Sequence, residues 1–312
     1  MMKTKILLLA VTLLFTSAIV DKSPVTIYMI GDSTMANRNL KNPRNKERGW
    51  GMMLGSFFSA DKVIVSNHAA SGRSTKSFIN EKRWARVVSQ IKPGDYVFIQ
   101  FGHNDEKKDN PKLYTEPGST FDDNLRKFVN ETRAKGGIPV LFNSIVRRKF
   151  YQDETGQFTD SLLDTHGDYL LSPKRVAEEL NVVFIDMNRM THNLVRQMGP
   201  EKSKELYMWA GKKDDTHLNI KGARKFAGMA IDAVGKEIPQ LGKCIRHYDY
   251  VVATDGSGDF FTLDEALKTI PSKKKCKLLV RSGQYGLKPE IKNKMIKIIE
   301  EEGVAYGVLD KH

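Results

Sequence analysis

Cysteine is almost missing from this chain. Of 312 residues only Cys244 and Cys276 carry a thiol, so nothing before position 244 can be stapled by a disulfide. A Cys244–Cys276 bridge and two free thiols both stay open, because a bridge requires a geometry that spacing does not supply. Metal-ligand spacing is missing as well. His68, His166, His192, His247 and His312 stand apart, and no His-Glu-x-x-His or Cys-x-x-Cys pattern occurs, so no metal is expected. No glycine-rich loop has dinucleotide-binding or P-loop spacing, which removes a nucleotide cofactor. Acidic residues are in deficit, 37 against 50 Lys and Arg, leaving a net charge of +13.

A hydrophobic content of 40% with 28% charged residues fits a globular protein with a substantial core, organised as one large domain and a smaller unit. Residues 1–22 read as a secretory signal peptide: Lys3 and Lys5 lead, an apolar run from Ile6 to Leu14 follows, and Ser17 and Ala18 come last. That run is too short for a membrane span. The expected location is therefore secreted or periplasmic, with no stable membrane insertion after cleavage. In an exported protein the basic balance argues against nucleic acid as partner. It suits an anionic polysaccharide, such as a uronic-acid polymer.

Strand-like apolar runs recur at Val25–Ile30, Lys62–Asn67, Tyr96–Gln100, Pro139–Asn143 and Val182–Ile185. Helix-like segments alternate with them at Lys76–Ile91, Phe121–Lys135, Ser172–Leu180 and Ile220–Val234. Strands alternating with helices predict a parallel sheet covered on both faces. Five strands predict a flavodoxin-like three-layer α/β/α sandwich over residues 23–240. Two polar stretches, Asp105–Thr120 and Arg148–Leu170, read as irregular loops.

Four blocks carry the chemistry. Gly31-Asp32-Ser33 follows the first strand, Ser71-Gly72-Arg73 the second, Gly102-His103-Asn104-Asp105 the third, and Asp214-Asp215-Thr216-His217 precedes the last helix. A serine hydroxyl is a weak nucleophile until a base takes its proton. His217 can be that base, and a carboxylate three residues earlier, Asp214, can hold its ring. The backbone N–H groups of Ser33 and Gly72 and the amide of Asn104 can form an oxyanion hole. Asp215 reads as a loop carboxylate, Asp32 and Asp105 as local scaffolding, and His103 as a packed, hydrogen-bonded histidine. Arg73 is either a contact for a uronate carboxylate or a solvated surface arginine. Trp209 is either a platform for a sugar ring or a buried aromatic. The cluster His166-Gly167-Asp168-Tyr169 has no assigned chemistry.

In this order the blocks resemble those of the SGNH (GDSL-type) hydrolases over roughly residues 25–235. The resemblance implies Ser33 as nucleophile, His217 as base and Asp214 as its partner. It also implies the oxyanion donors named above. Three longer stretches, 28–36, 67–74 and 98–105, are most similar to rhamnogalacturonan acetylesterases. They imply a serine esterase that removes acetyl groups from pectic polysaccharide. Acetylated xylan or small esters are the enzymatic alternative, and an idle carbohydrate-binding scaffold the non-enzymatic one.

The rhythm changes near Ile238-Pro239, and residues 241–312 form a separate piece. Tyr250–Phe260, with its Asp255-Gly256-Ser257-Gly258-Asp259 run, resembles the opening of pectin methylesterases, which are parallel β-helices. Only about one coil of that pattern is present, and it lacks the catalytic residues of that family, so the piece is expected to be inactive. The chain has the look of a bifunctional pectin esterase cut short. After Gly286 the sequence turns Lys-rich and helix-like. A single coil cannot bury its own core, so the piece is expected to pack on the main domain or to lack order.

Overall fold

The computed structural model describes residues 23–42, 45–291 and 295–307. The signal-peptide reading of residues 1–22, and His312, lie outside them. Five parallel strands form the central sheet: β1 (Val25–Gly31), β2 (Val63–Asn67), β3 (Tyr96–Gln100), β4 (Ile138–Phe142) and, after a hairpin of β5 (Phe150–Gln152) and β6 (Phe158–Leu162), β7 (Val183–Ile185). Their spatial order is β2-β1-β3-β4-β7, the flavodoxin-like order.

The inner strands β1, β3 and β4 are largely apolar because both faces of the sheet are covered, whereas the edge strand β2 ends in Ser66-Asn67 and leaves Ile64 exposed. Side chains alternate along a strand. Ile27 and Met29 of β1, Phe98 of β3 and Phe142 of β4 point into one core. Tyr28 and Ile30, Val97 and Ile99, and Leu141 point into the other. The second core is covered by α1 (Thr75–Asn80), α2 (Arg83–Val88), α3 (Thr120–Ala134) and α4 (Leu171–Leu180). The first is covered by a 3-10 helix (Trp50–Phe57), α5 (Met187–Lys202) and, beyond a kinked turn α6 (Trp209–Lys212), α7 (Ile220–Glu237).

Several elements depart from the sequence reading. The single helix expected over Lys76–Ile91 is two, because Lys82 takes a left-handed φ of 56° between them. The Arg148–Leu170 stretch is not wholly irregular, since it holds the β5–β6 hairpin with its turn at Asp153–Gly156. Helix α5 lies outside the four helix-like segments, although Asp186 caps it by accepting from the Arg189 N–H, and Met187, Thr191 and Val195 recur every four residues on its buried side.

Beyond α8 (Pro239–Gly242) the chain builds a second, smaller core. Strands β8 (Tyr250–Val252), β9 (Cys276–Val280) and β11 (Ile296–Glu300) pair in parallel, with α9 (Leu263–Thr269) against them, and β10 (Gly283–Tyr285) pairs with β12 (Val304–Tyr306). The helix-like expectation after Gly286 is wrong for residues 296–306. Ile296 and Ile298 alternate toward the cluster of Val252, Leu278 and Val280, and pairing with β9 overrides the lysine-rich composition. The piece packs on the main domain: Arg224 pairs with Asp259 at 3.1 Å and donates to the Tyr248 carbonyl, and the Arg246 N–H donates to the Phe57 carbonyl. Cys244 and Cys276 are both free thiols.

Helix α7 begins right after His217, so its seating matters. Asn219 caps it by accepting from the Gly222 N–H at 3.0 Å, and its own amide donates to the carbonyls of Glu205 and Tyr207. Gly222 lies so close to this segment that a Cβ there would sit 1.9 Å from the Leu206 carbonyl oxygen. Gly222→Ala is therefore expected to destabilise the protein by about 3 kcal/mol through forced backbone separation. A urea midpoint equal to wild type would contradict this packing.

Candidate active site

The strand order reverses between β1 and β3, and the loops leaving their carboxyl ends diverge into a crevice, where open α/β sheets bind ligands. Ser33 sits in the turn directly after β1. Asp32 shapes that turn: its Oδ1 accepts from the Thr34 N–H at 2.9 Å and the Thr34 hydroxyl at 2.8 Å. Thr34 is then locked to the neighbouring strand, since Gln100 Nε2 donates to its hydroxyl and Trp50 Nε1 donates to Gln100 Oε1.

His217 arrives from the far end of the domain, and its Nε2 lies 2.9 Å from Ser33 Oγ. Its Nδ1 lies 2.8 Å from Asp214 Oδ2. Asp214 Oδ1 accepts from the backbone N–H groups of Thr216 and His217, so both carboxylate oxygens are engaged. Burial alone would raise the Asp214 pKa, but these bonds to Thr216 and His217 outweigh it and lower it. An ionised carboxylate only accepts, so Nδ1 carries the proton and Nε2 is left to accept from the serine hydroxyl. Asp215 turns the other way. Its Oδ1 accepts from Arg148 Nε at 2.7 Å, and burial raises its pKa against the pull of that guanidinium.

Gly72 faces the same crevice with φ +76°, and a Cβ there would meet nothing within 4 Å. Among the described residues neither its N–H nor that of Ser33 donates to another group. Asn104 is oriented by Lys107, whose ammonium donates to Oδ1 at 2.7 Å. That leaves Nδ2 as the end directed at the Gly72 loop, where it donates to the Arg73 carbonyl at 3.2 Å. The three candidate oxyanion donors thus come from the ends of β1, β2 and β3.

Arg73 pairs with Glu81 at 3.1 Å and donates to the Ser71 carbonyl. Trp209 is half-buried, and its ring meets the Arg148 guanidinium at 4.4 Å and the ammonium groups of Lys204 and Lys213 at 5.0 Å each. His103 is buried behind the site, with Nδ1 3.1 Å from Asp32 Oδ2. Burial pushes its pKa down to about 4, so it is neutral at pH 7. Asp32 is held at about 2, because His103 and Thr34 outweigh its burial. His166 meets His103 edge-to-face and bonds to Glu106, which also pairs with Arg147.

Reading the sequence missed Arg38. Its guanidinium donates to the Ser33 carbonyl at 2.6 Å and to Ser71 Oγ, and pairs with Glu47 at 2.8 Å. It therefore ties the Ser33 turn to the Gly72 loop. Glu47 also accepts Lys212 at 2.7 Å. Neither residue falls in a recognisable block, and only proximity in the fold reveals them.

Asp105 is fully buried, with Oδ1 accepting from Thr75 and Thr115 while Oδ2 has no partner among the described residues. Burial pushes its pKa up to about 7. The folded state thus binds this proton more tightly than the unfolded chain does. Its stabilising contribution is complete below the ordinary aspartate range near pH 4 and is lost as pH rises through 7. Asp105→Asn cannot ionise, so its stability relative to wild type is expected to improve from pH 5 to pH 9, read as paired melting temperatures. A pH-independent difference would exclude a buried proton at Asp105.

The GDSL-like Lipase/Acylhydrolase family model matches residues 27–228. The rhamnogalacturonan acetylesterase RhgT of Bacillus subtilis (strain 168) is 37% identical over 245 residues, covering 75% of this chain and 97% of that protein. The rhamnogalacturonan acetylesterase of Emericella nidulans is 25% identical over 252 residues, covering 75% and 92%. Among solved structures, the Bacillus subtilis protein YxiM superposes with a TM-score of 0.60 at 28% identity, over 69% of this chain and 57% of that one. With the family model matching well over half of its length, the chain belongs to the GDSL-like lipase/acylhydrolase family and is a carboxylic ester hydrolase.

Proposed function

We propose that the protein is a secreted serine esterase that removes acetyl groups from rhamnogalacturonan in pectin. The observation that carries the mechanism is the continuous hydrogen-bonded chain from Ser33 Oγ through His217 to Asp214. Ser33 Oγ attacks the acetyl carbonyl while His217 Nε2 takes its proton. The negative oxygen of the tetrahedral intermediate is held by the N–H groups of Ser33 and Gly72 and by Asn104 Nδ2. The intermediate collapses, the sugar oxygen leaves with the proton from His217, and acetyl-Ser33 remains. A water deprotonated by His217 then attacks the acyl group. Acetate leaves, and the proton returns to Ser33 Oγ.

The substrate rests on two supports. One is the likeness to proteins named as rhamnogalacturonan acetylesterases. The other is the net charge of +13, which favours a polymer bearing a carboxylate on every galacturonate. Export rests on the Lys-first, apolar, small-residue order of residues 1–22.

Acetate release from acetylated rhamnogalacturonan, acetylated xylan and 4-nitrophenyl acetate tests both layers. Wild type is expected to release acetate selectively from rhamnogalacturonan, and Ser33→Ala to lose at least about 10⁴-fold in kcat. Activity on the nitrophenyl ester alone would overturn the pectic substrate. The two neighbouring aspartates are expected to separate cleanly. Asp214→Asn should lower kcat by about 10⁴-fold with little change in stability. Asp215→Asn should leave kcat within about threefold but destabilise the fold by about 3 kcal/mol, because Arg148 is then buried without its carboxylate. The reverse pattern would reassign the carboxylate.

A further inference from the structure

The C-terminal piece touches the main domain next to the catalytic crevice, at a strap formed by Asn45, Lys46, Glu47 and Arg48. The strap lies against the segment that follows His217: the Arg48 N–H donates to the Leu218 carbonyl, and Glu47 bridges to Asn219. Its one acid, the mostly buried Glu47, holds Arg38, and Arg38 holds the Ser33 carbonyl and Ser71. The strap thus bonds directly to the segment after His217 and, through Arg38, to the turn that carries Ser33.

Arg48 is 1% exposed. A buried guanidinium needs acceptors for its donors, and an unmet donor is costly. Arg48 Nη1 donates to the strap's own carbonyls, Asn45 and Glu47, each at 2.8 Å. Its Nε donates across to the Gly256 carbonyl at 3.0 Å, and the Phe261 ring lies 5.6 Å from the guanidinium carbon. The approach is close. Gly256 has φ +73°, and a Cβ there would meet Leu40 Cδ1 at 2.4 Å and Arg48 Nη2 at 3.3 Å. The Asp255–Gly258 run, which the sequence resemblance leaves without an activity of its own, is seated on the strap.

We infer that the Gly256 turn of the C-terminal piece is a positioning element for the esterase site, acting through Arg48 and the Glu47–Arg38 pair on the Ser33 turn. The inference rests on the serine-esterase reading. Arg48 orients the strap by its fork of donors, and the Gly256 carbonyl fixes the fork. Without it the strap keeps its sequence but loses the buried acceptor that sets its position. Glu47 then no longer holds Arg38 at the Ser33 carbonyl.

The test uses the full chain, with 4-nitrophenyl acetate as substrate and a fluorophosphonate as a probe of the Ser33 hydroxyl. Gly256→Val cannot hold the left-handed turn, and Arg48→Met removes the fork. Each is expected to lower kcat about tenfold per folded molecule, with KM within about twofold, because a small displacement of the nucleophile costs rate rather than binding. Labelling of Ser33 should slow in the same ratio. The double variant should be no slower than the slower single one, since both break one path. Arg48→Lys keeps the charge and loses the Nε contact. It is expected to fall between wild type and Arg48→Met, and it carries the test if Gly256→Val does not fold. Wild-type kcat in folded variants, or single losses that multiply in the double variant, would overturn the inference. A wild-type chain that neither turns over the ester nor labels would instead remove the esterase reading beneath it.

Discussion

A parallel sheet that reverses its winding direction leaves one gap that no crossover helix covers, and the candidate active site is arranged around that gap. Between β1 and β3 the chain has gone out to β2 on one side and come back on the other. Three loops from three adjacent strand ends are thereby delivered to one crevice without any long excursion of the backbone. Ser33, Gly72 and Asn104 each stand within a few residues of a strand, so their positions inherit the rigidity of a sheet buried on both faces. The fourth contribution, the Asp214–His217 loop, is not fixed by the sheet. It depends instead on its seam with residues 205–208, where Asn219 caps α7 and the His217 carbonyl accepts from the Met208 N–H.

Charge is organised in two layers around that crevice. Closest in, Asp214 is ionised and spends both oxygens on the His217 loop, leaving the imidazole a single productive tautomer. Behind it, buried groups settle one another: neutral His103 rests on ionised Asp32, and His166 on Glu106 with Arg147. Arg38 and Arg148 are the cations of the outer layer, and each is anchored to a carboxylate and to a backbone carbonyl. Polar groups buried in this way impose one arrangement, because any shift leaves a donor or acceptor unmet.

Much of this was legible in the residues. The five strands announce themselves because a doubly covered sheet requires continuous apolar runs, and the blocks stand out because each interrupts such a run with Gly, Ser, Asn or Asp. What the sequence hides are interactions with no local signature. Arg38 looks like any arginine in a basic chain, and only its bond to the Ser33 carbonyl marks it. Helix α5 is concealed by Asn, Thr and His positions and by Gly199-Pro200 near its end, though its buried residues keep helical spacing. The break at Lys82 has no glycine to advertise it. Strand β11 is hidden by a Lys-rich, helix-like composition, and its isoleucines are decided by pairing with β9.

The distance along the chain between partners that meet in space sets an order of events. Ser33 and His217 are 184 residues apart, and Arg48 and Gly256 are 208 apart. A chain emerging from its N-terminus at about 5–20 residues per second shows its serine roughly ten to forty seconds before its histidine. Through that interval the Ser33 hydroxyl lacks the hydrogen bond to His217 that the folded chain gives it. The Arg48–Gly256 contact brings in residues beyond the central sheet, so it forms only after both the Ser33 turn and the His217 loop have appeared.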